Sequence, residues 1–141
     1  MAGKFRKIAT EEAFSIPEVA QQLKAVARAP GESLDLQLVK GIYDQDPGYG
    51  VFNFLEGLLD LEEARLRDMD RNGVDMQLLS LTAPGVQMFD ADTACELATL
   101  ANDRLAAVIA RHPTRFAGLA TFAPHAPKRA AREMERAINE L

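Results

Sequence analysis

Two adjacent carboxylates at the end of a short apolar run are the residues of this chain best placed to do chemistry. The run is KIATEEAF, residues 7–14, and the carboxylates belong to Glu11 and Glu12. A parallel strand delivers the residues at its carboxyl end to the edge of a sheet where active sites usually lie. An inward-facing carboxylate needs a partner to offset its desolvation, and a divalent cation is one natural partner. The sequence therefore offers a candidate metal ligand at this strand end.

Strand alternation indicates which carboxylate would face inward. One parity contains Ala9, Glu11 and Ala13, and the other contains Ile8, Thr10 and Glu12. If the small Ala9 faces a crowded interior, Glu11 faces it too, and Ile8 packs outward against helices. A second interpretation stays open, in which both carboxylates begin the following helix and are favoured by its dipole.

The composition is that of an ordinary globular protein about one domain long. The chain has 141 residues, 48% hydrophobic and 26% charged, and a net charge of -5. This charge, with no basic stripe in the sequence, argues against nucleic acid as a partner. The sequence shows no long apolar stretch and no signal peptide, so we expect a cytoplasmic protein without a membrane partner. The single cysteine, Cys95, is interpreted as a buried structural thiol rather than a nucleophile.

Strands and helices alternate along the chain. Strands are predicted at residues 7–10, 74–81 and 116–122, and helices at 17–28, 55–72, 93–111 and through 131–141. Thr93 and Glu96 form a capping box for the third of these helices. Its predicted buried stripe consists of Leu97, Ala101, Leu105 and Val108. This order, a strand followed by a helix and repeated three times, predicts an α/β fold with parallel strands and with helices on the outside.

The stretch from Pro30 to Gly50 is predicted to be irregular, because it is rich in proline and glycine. Its length is more typical of a loop that covers a site than of a plain connection, although a linker is the other interpretation. It has few apolar anchors for its length. We therefore expect it to be the most mobile segment, or to be ordered only by a partner.

The two histidines are weaker candidates. His125 follows the third strand, and we expect it to be an exposed loop side chain. The alternative is a role as an acid, a base or a metal ligand. His112 closes a helix, where a cation complements the helix dipole. Neither histidine is assigned a catalytic role, and no catalytic acid is identified in this chain.

Four stretches of the sequence resemble one enzyme family. They are KIATEEAF, LLDLEEARLRDMDRNGVDMQLLSLTAPGVQ, LATLANDRLAAVIARHPTRFAGLATFAP and REMERAINEL. In order and spacing they are similar to the N-terminal part of the amidohydrolase-related aromatic-acid decarboxylases, of the 5-carboxyvanillate and gamma-resorcylate types. The resemblance implies a metal-dependent (β/α)8 TIM barrel. Residues 1–141 are expected to be the N-terminal portion of that domain, truncated within its repeating pattern.

In this family the first strand ends in a metal-binding pair, either His-x-His or Glu-x-His. The matching residues here are Glu11 and Ala13, and a Glu-x-Ala form occurs among the carboxyvanillate type. The resemblance implies Glu11 as a ligand for manganese or zinc, and Thr82 as a hydroxyl presented to the substrate. Thr82 is otherwise an ordinary turn residue. The family's remaining ligands, a histidine and an aspartate, would lie beyond Leu141.

The resemblance implies non-oxidative loss of carbon dioxide from a phenolic or other small aromatic carboxylic acid. The proton for the ring carbon would come from the aspartate that lies outside this chain. Two alternatives stay open: a hydrolase or hydratase of the same superfamily that uses metal-activated water, and a stand-alone, non-enzymatic α/β module. We expect the complete enzyme to be a homo-oligomer. The 141-residue chain alone should be inactive, because one candidate ligand does not hold a catalytic cation.

Overall fold

A computed structural model describes residues 5–44 and 54–141 of the chain. In these ranges the strands are β1 (Ile8–Phe14), β2 (Met76–Leu81) and β3 (Phe116–Gly118). The helices are α1 (Pro17–Ala27), α2 (Leu34–Tyr43), α3 (Phe54–Leu59), α4 (Glu63–Asn72), α5 (Ala91–Arg111) and α6 (Pro127–Asn139). No helix in the described ranges is both long and apolar enough to cross a membrane.

The three strands form one parallel sheet in the order β1-β2-β3. Helices cover one face of this sheet, where Phe14, Leu79 and Phe116 are almost completely buried. The opposite face is open, and Ile8 on that face is 51% exposed. The predicted α/β class with parallel βα repeats is therefore confirmed.

Helix α5 lies directly on β3. Its predicted stripe is buried as expected: Leu97, Ala101, Leu105 and Val108. A Cβ atom added to Gly118 would lie 2.5 Å from Cδ2 of Leu105 and 3.0 Å from Cδ1 of Ile109. Close packing of this kind leaves room only for glycine at that position of the strand. Cys95, by contrast, is only partly buried, although it packs against the core.

The predicted helix over residues 55–72 is two helices, because Asp60 interrupts it. The Asp60 carboxylate accepts hydrogen bonds from the backbone N–H of Glu62 at 3.0 Å and of Ala64 at 3.1 Å. These bonds cap the first turn of α4 and so favour a new helix start. The predicted end is confirmed: Gly73 follows α4 with φ 64°, a left-handed conformation that glycine adopts readily.

The prediction of an irregular segment from Pro30 to Gly50 is wrong over residues 34–43, which form α2. The Ser33 side chain caps this helix by accepting from Leu36 N at 3.2 Å. Leu36, Val39 and Tyr43 are buried, so the segment has the apolar anchors that we expected it to lack. Residues 45–53 lie outside the described ranges, and the expected mobility stays a prediction.

Three boundaries also differ from expectation. The N-cap of α5 is Asp90 rather than Thr93, because its carboxylate accepts from the backbone N–H of both Asp92 and Thr93. Strand β3 ends at Gly118 instead of continuing to residue 122, and β1 continues to Phe14.

Candidate active site at the bulge of the first strand

A bulge interrupts the pairing of β1 with β2 where the two carboxylates lie. Ala9 pairs with Gln77 and Glu12 pairs with Leu79, so Thr10 and Glu11 together stand opposite the single residue Leu78. Glu11 has φ 61°, and it is the only non-glycine residue with positive φ in the described ranges. This conformation costs a residue with a side chain about 1–2 kcal/mol. Bulges and strained residues of this kind are frequent next to active sites.

The bulge reverses the alternation that the sequence predicted. Glu12, beyond the bulge, shares the helix-covered face with Ala9 and Leu79, while Ile8 and Ala13 lie on the open face. The expectation that Ala9 faces the interior and Ile8 packs against helices is therefore wrong. Strand parity misassigned these residues because it allows no extra residue in one strand.

The two carboxylates have different surroundings. Glu11 is exposed and lies in the middle of β1, opposite Leu78, because the strand continues to Phe14 instead of ending before the carboxylates. Glu12 is half-buried near the Arg65 guanidinium on the helix side. Burial lowers the pKa of Arg65, and the charges of Glu12 and Asp60 oppose that change. Glu12 thus has a charge partner within the fold, which leaves Glu11 as the carboxylate available to a ligand.

Thr82 joins the ends of the first two strands. It follows β2, is buried, and donates its backbone N–H to the Phe14 carbonyl at 2.8 Å. Its own carbonyl accepts from Gly85 N at 2.8 Å, so the turn role considered for Thr82 is real. The same contacts hold Thr82 at the carboxyl end of β1, beyond Glu11. A role toward substrate stays a prediction.

The two histidines lie as the sequence suggested. His125 is exposed in the loop before α6. His112 closes α5, and its Nε2 lies 3.0 Å from Oε1 of Glu62. Glu62 also accepts two hydrogen bonds from Arg111, at 2.7 and 2.9 Å. This cluster attaches the end of α5 to the start of α4 and has the character of a structural contact.

Metal ligands are sparse in this part of the molecule. The residues from 5 to 44 and from 54 to 141 contain no group of three or more His, Cys, Asp or Glu side chains that could hold a metal ion. Glu11 contributes one carboxylate, a hard oxygen donor of the type that manganese accepts. The described residues therefore fit one ligand of a metal site and not a complete one.

Two cavities in the described residues are possible ligand sites. A cavity of about 160 Å³ lies between the loops that follow β2 and β3, lined in part by Pro84, Gln87 and Phe122. A larger one of about 560 Å³ lies between α5 and α6 and is lined by residues such as Cys95 and Glu133. Neither includes Glu11. The smaller cavity lies beyond strand ends, where substrates of α/β enzymes bind, and the larger lies among the outer helices.

Comparison with known proteins identifies the family of this chain. The amidohydrolase family model matches residues 60–141, which is more than half of the sequence. The chain belongs to this family. The family resemblance drawn from the sequence motifs is thereby confirmed.

Several of the similar proteins are named as decarboxylases. The structure of 5-carboxyvanillate decarboxylase from Sphingomonas paucimobilis is 51% identical, with a TM-score of 0.88 over 96% of this chain and 40% of that one. Gamma-resorcylate decarboxylase from Rhizobium radiobacter is 36% identical over 137 residues, 96% of this chain and 36% of that protein. The chain thus spans about two fifths of the length of these relatives.

Several similar structures were solved with ligands. The 5-carboxyvanillate decarboxylase from Novosphingobium aromaticivorans, in complex with manganese and 4-hydroxy-3-methoxy-5-nitrobenzoic acid, is 41% identical. Its TM-score is 0.88 over 98% of this chain and 40% of that chain. The parallel βα arrangement described above is therefore shared with enzymes of this family.

Proposed function

We propose that this chain forms the first part of a metal-dependent, non-oxidative decarboxylase that acts on a phenolic or other small aromatic carboxylic acid. The observation that carries the proposal is Glu11, an exposed carboxylate on a strained bulge in the middle of β1. Its support comes from relatives named as decarboxylases of such acids, one of them solved with manganese. Residues 1–141 would be the N-terminal portion of a barrel domain in that enzyme.

The residues of this chain would act by binding and positioning. Glu11 would hold a divalent cation, manganese or zinc, which supplies positive charge for the carboxylate and phenolic oxygen of the substrate. Thr82, held at the carboxyl end of β1 by its bond to Phe14, would present its hydroxyl to the substrate. The group that protonates the ring carbon would come from outside residues 1–141. We further propose, from the resemblance alone, a cytoplasmic homo-oligomer.

The proposal is tested in the complete enzyme that contains residues 1–141, with Glu11→Gln and Glu12→Gln as a matched pair. Carbon dioxide release from 5-carboxyvanillate and from gamma-resorcylate is measured with manganese, together with bound metal by atomic absorption. Glu11→Gln should lose metal and turnover together, because the amide carries no charge for the cation. Glu12→Gln should keep its metal. Stoichiometric metal and normal turnover in Glu11→Gln would refute the assignment.

The same assay separates decarboxylation from the chemistry of other amidohydrolases. Hydrolysis of an ester or amide analogue without any release of carbon dioxide would favour a hydrolase. Thr82→Val, which keeps the shape and the backbone bonds, should raise KM for the aromatic acid while Thr82→Ser restores it. An unchanged KM in Thr82→Val would leave Thr82 as a turn residue.

A further inference from the structure

Arg65 joins four separate segments of the fold around the bulge. Its Nε donates to the Asp60 carbonyl at 3.0 Å, and its Nη1 donates to Oε1 of Gln77 at 3.2 Å. Its Nη2 donates to the Ala13 carbonyl at 2.9 Å and to the Gly57 carbonyl at 3.3 Å. The acceptors belong to β1, β2, α3 and the turn between α3 and α4. Only a planar guanidinium, with its fork of donors, can serve so many acceptors at once.

The bond to Ala13 fixes the part of β1 that the sheet does not hold. Successive carbonyls of a strand point to opposite edges, and the Phe14 carbonyl points toward β2, where it accepts from Thr82 N. The Ala13 carbonyl therefore points to the outer edge of β1. Arg65 occupies that edge, and Ser15 N adds a bond to the Leu58 carbonyl of α3 at 2.8 Å.

The position held in this way lies two residues beyond Glu11. A bulge shifts the strand by one residue, and losing it would turn each side chain beyond it to the opposite face. The φ of 61° at Glu11 is unfavourable for a residue with a side chain, so neighbouring contacts must maintain it. Arg65 supplies such a contact on the outer edge, opposite to the ladder with β2.

We propose that Arg65 is a positioning residue, which maintains the bulge in β1 and thereby aims the Glu11 carboxylate at its cation. This inference rests on the proposed function, because it assumes that Glu11 binds metal. It assigns Arg65 no contact with the substrate. The guanidinium acts through the Ala13 carbonyl and remains beside Glu12 on the helix side of the sheet.

The test measures manganese affinity in the complete enzyme, by electron paramagnetic resonance of free and bound manganese. Arg65→Gln should weaken binding by about tenfold or more, the range typical of outer partners of metal ligands, and should alter the spectrum of the bound ion. Arg65→Lys should stay close to Arg65→Gln, because an ammonium group cannot reach all four acceptors. Each titration is made at a temperature where circular dichroism shows the variant folded.

Arg115 provides the matched control. It also binds backbone carbonyls, those of Asp75 at 3.2 Å and Val74 at 3.4 Å, but at the amino end of β2. Arg115→Gln should unfold at a lower temperature and keep the wild-type manganese affinity and spectrum. Equal loss of affinity in Arg115→Gln and Arg65→Gln would overturn the inference, since general destabilisation would then explain both.

Two further outcomes separate this inference from the proposed function. If Glu11→Gln leaves manganese affinity unchanged, the proposed function fails whatever Arg65 does. If Glu11→Gln loses affinity and Arg65→Gln keeps it with an unchanged spectrum, Arg65 is structural and only the inference fails. Should Arg65→Gln not fold, Arg65→Lys serves as the test, because it keeps the charge and removes the fork of donors. Arg65→Lys should then weaken binding, and wild-type affinity in the folded Arg65→Lys variant would refute the role.

Discussion

The two ends of the sheet use their polar groups in different ways. At the amino end, Lys7 N donates to the Asp75 carboxylate at 2.7 Å, and Arg115 donates to Asp70 at 2.7 Å as well as to backbone carbonyls. Toward the carboxyl end, the middle of β1 carries a strained bulge and an exposed Glu11. Hydrogen-bonded backbone groups and paired charged side chains stabilise a fold, whereas backbone strain at an exposed carboxylate lowers its stability. The difference marks the carboxyl end as the functional one.

Among the substitutions that test this difference between the two ends of the sheet, Glu11→Gly should have the largest effect. Glycine adopts φ 61° without strain, so the free energy of unfolding should rise by roughly 1 kcal/mol. Metal binding by the complete enzyme should be lost at the same time. Urea unfolding and manganese titration measure the two effects on one protein sample.

Glu12→Gly is the control for that prediction. Glu12 has no positive φ and lies near the partly buried Arg65 charge, so glycine there should destabilise the protein. If both substitutions lower stability equally, Glu11 is not strained, and the contrast between the two ends of the sheet loses its main support.

The sequence predicted the location of the candidate site better than its geometry. The apolar run marks the strand by a local pattern, but the two carboxylates do not end it, because β1 continues to Phe14. The bulge is not local, because it is defined by the pairing of Ala9 and Glu12 with β2. Residue types at positions 8–14 do not show which strand carries an extra residue. The metal assignment of Glu11 came from its position in the strand together with the family resemblance, and it remains a prediction.

Helix α2 and Arg65 were missed for opposite reasons. For α2 a local signal existed, since Ser33 precedes apolar residues with helical spacing, Leu36, Val39 and Tyr43. The surrounding proline and glycine content concealed it. For Arg65 no local signal existed, because a cation in a charged helix reads as a solvent-exposed residue. Only the folded chain brings Gly57, Ala13 and Gln77 to its guanidinium.

Gly118→Ala tests whether every residue at the carboxyl end serves function. Gly118 lies on the helix-covered face, and an added Cβ would overlap Leu105. Overpacking of this kind costs about 1–3 kcal/mol, so thermal unfolding should occur at a lower temperature. Bound manganese in the complete enzyme should not change below that transition. Gly57→Ala, where nothing lies within 4 Å of the added Cβ, should stabilise α3 slightly. Equal stability of Gly118→Ala and wild type would show that α5 can withdraw from β3.

At the amino end, Arg115→Gln should cost stability and no function. The substitution removes a hydrogen bond to the Asp70 carboxylate and two to backbone carbonyls, from a side chain that is 27% exposed. Urea unfolding should show a loss of about 1–2 kcal/mol. The turnover number of the complete enzyme should be unchanged. A drop in turnover without a drop in stability would contradict the division between the two ends.

The smallest effect is expected from Glu62, which contacts the end of α5 just before the chain enters β3. Hydrogen bonds from Arg111 and His112 lower the pKa of the Glu62 carboxyl from its ordinary value of 4.5, although burial opposes them. A carboxyl with a lowered pKa in the folded state stabilises the protein above its ordinary pKa. That contribution is lost as the pH falls below 4.5 and through the lower pKa of the folded state.

The Glu62→Gln variant should therefore lose less stability than the wild type as the pH falls below 5, as measured by thermal unfolding at a series of pH values. Because Glu62 is partly exposed and the pair is screened by salt, the effect should shrink in high salt. A pH dependence identical to that of the wild type would show that this contact contributes nothing to the stability of the amino end.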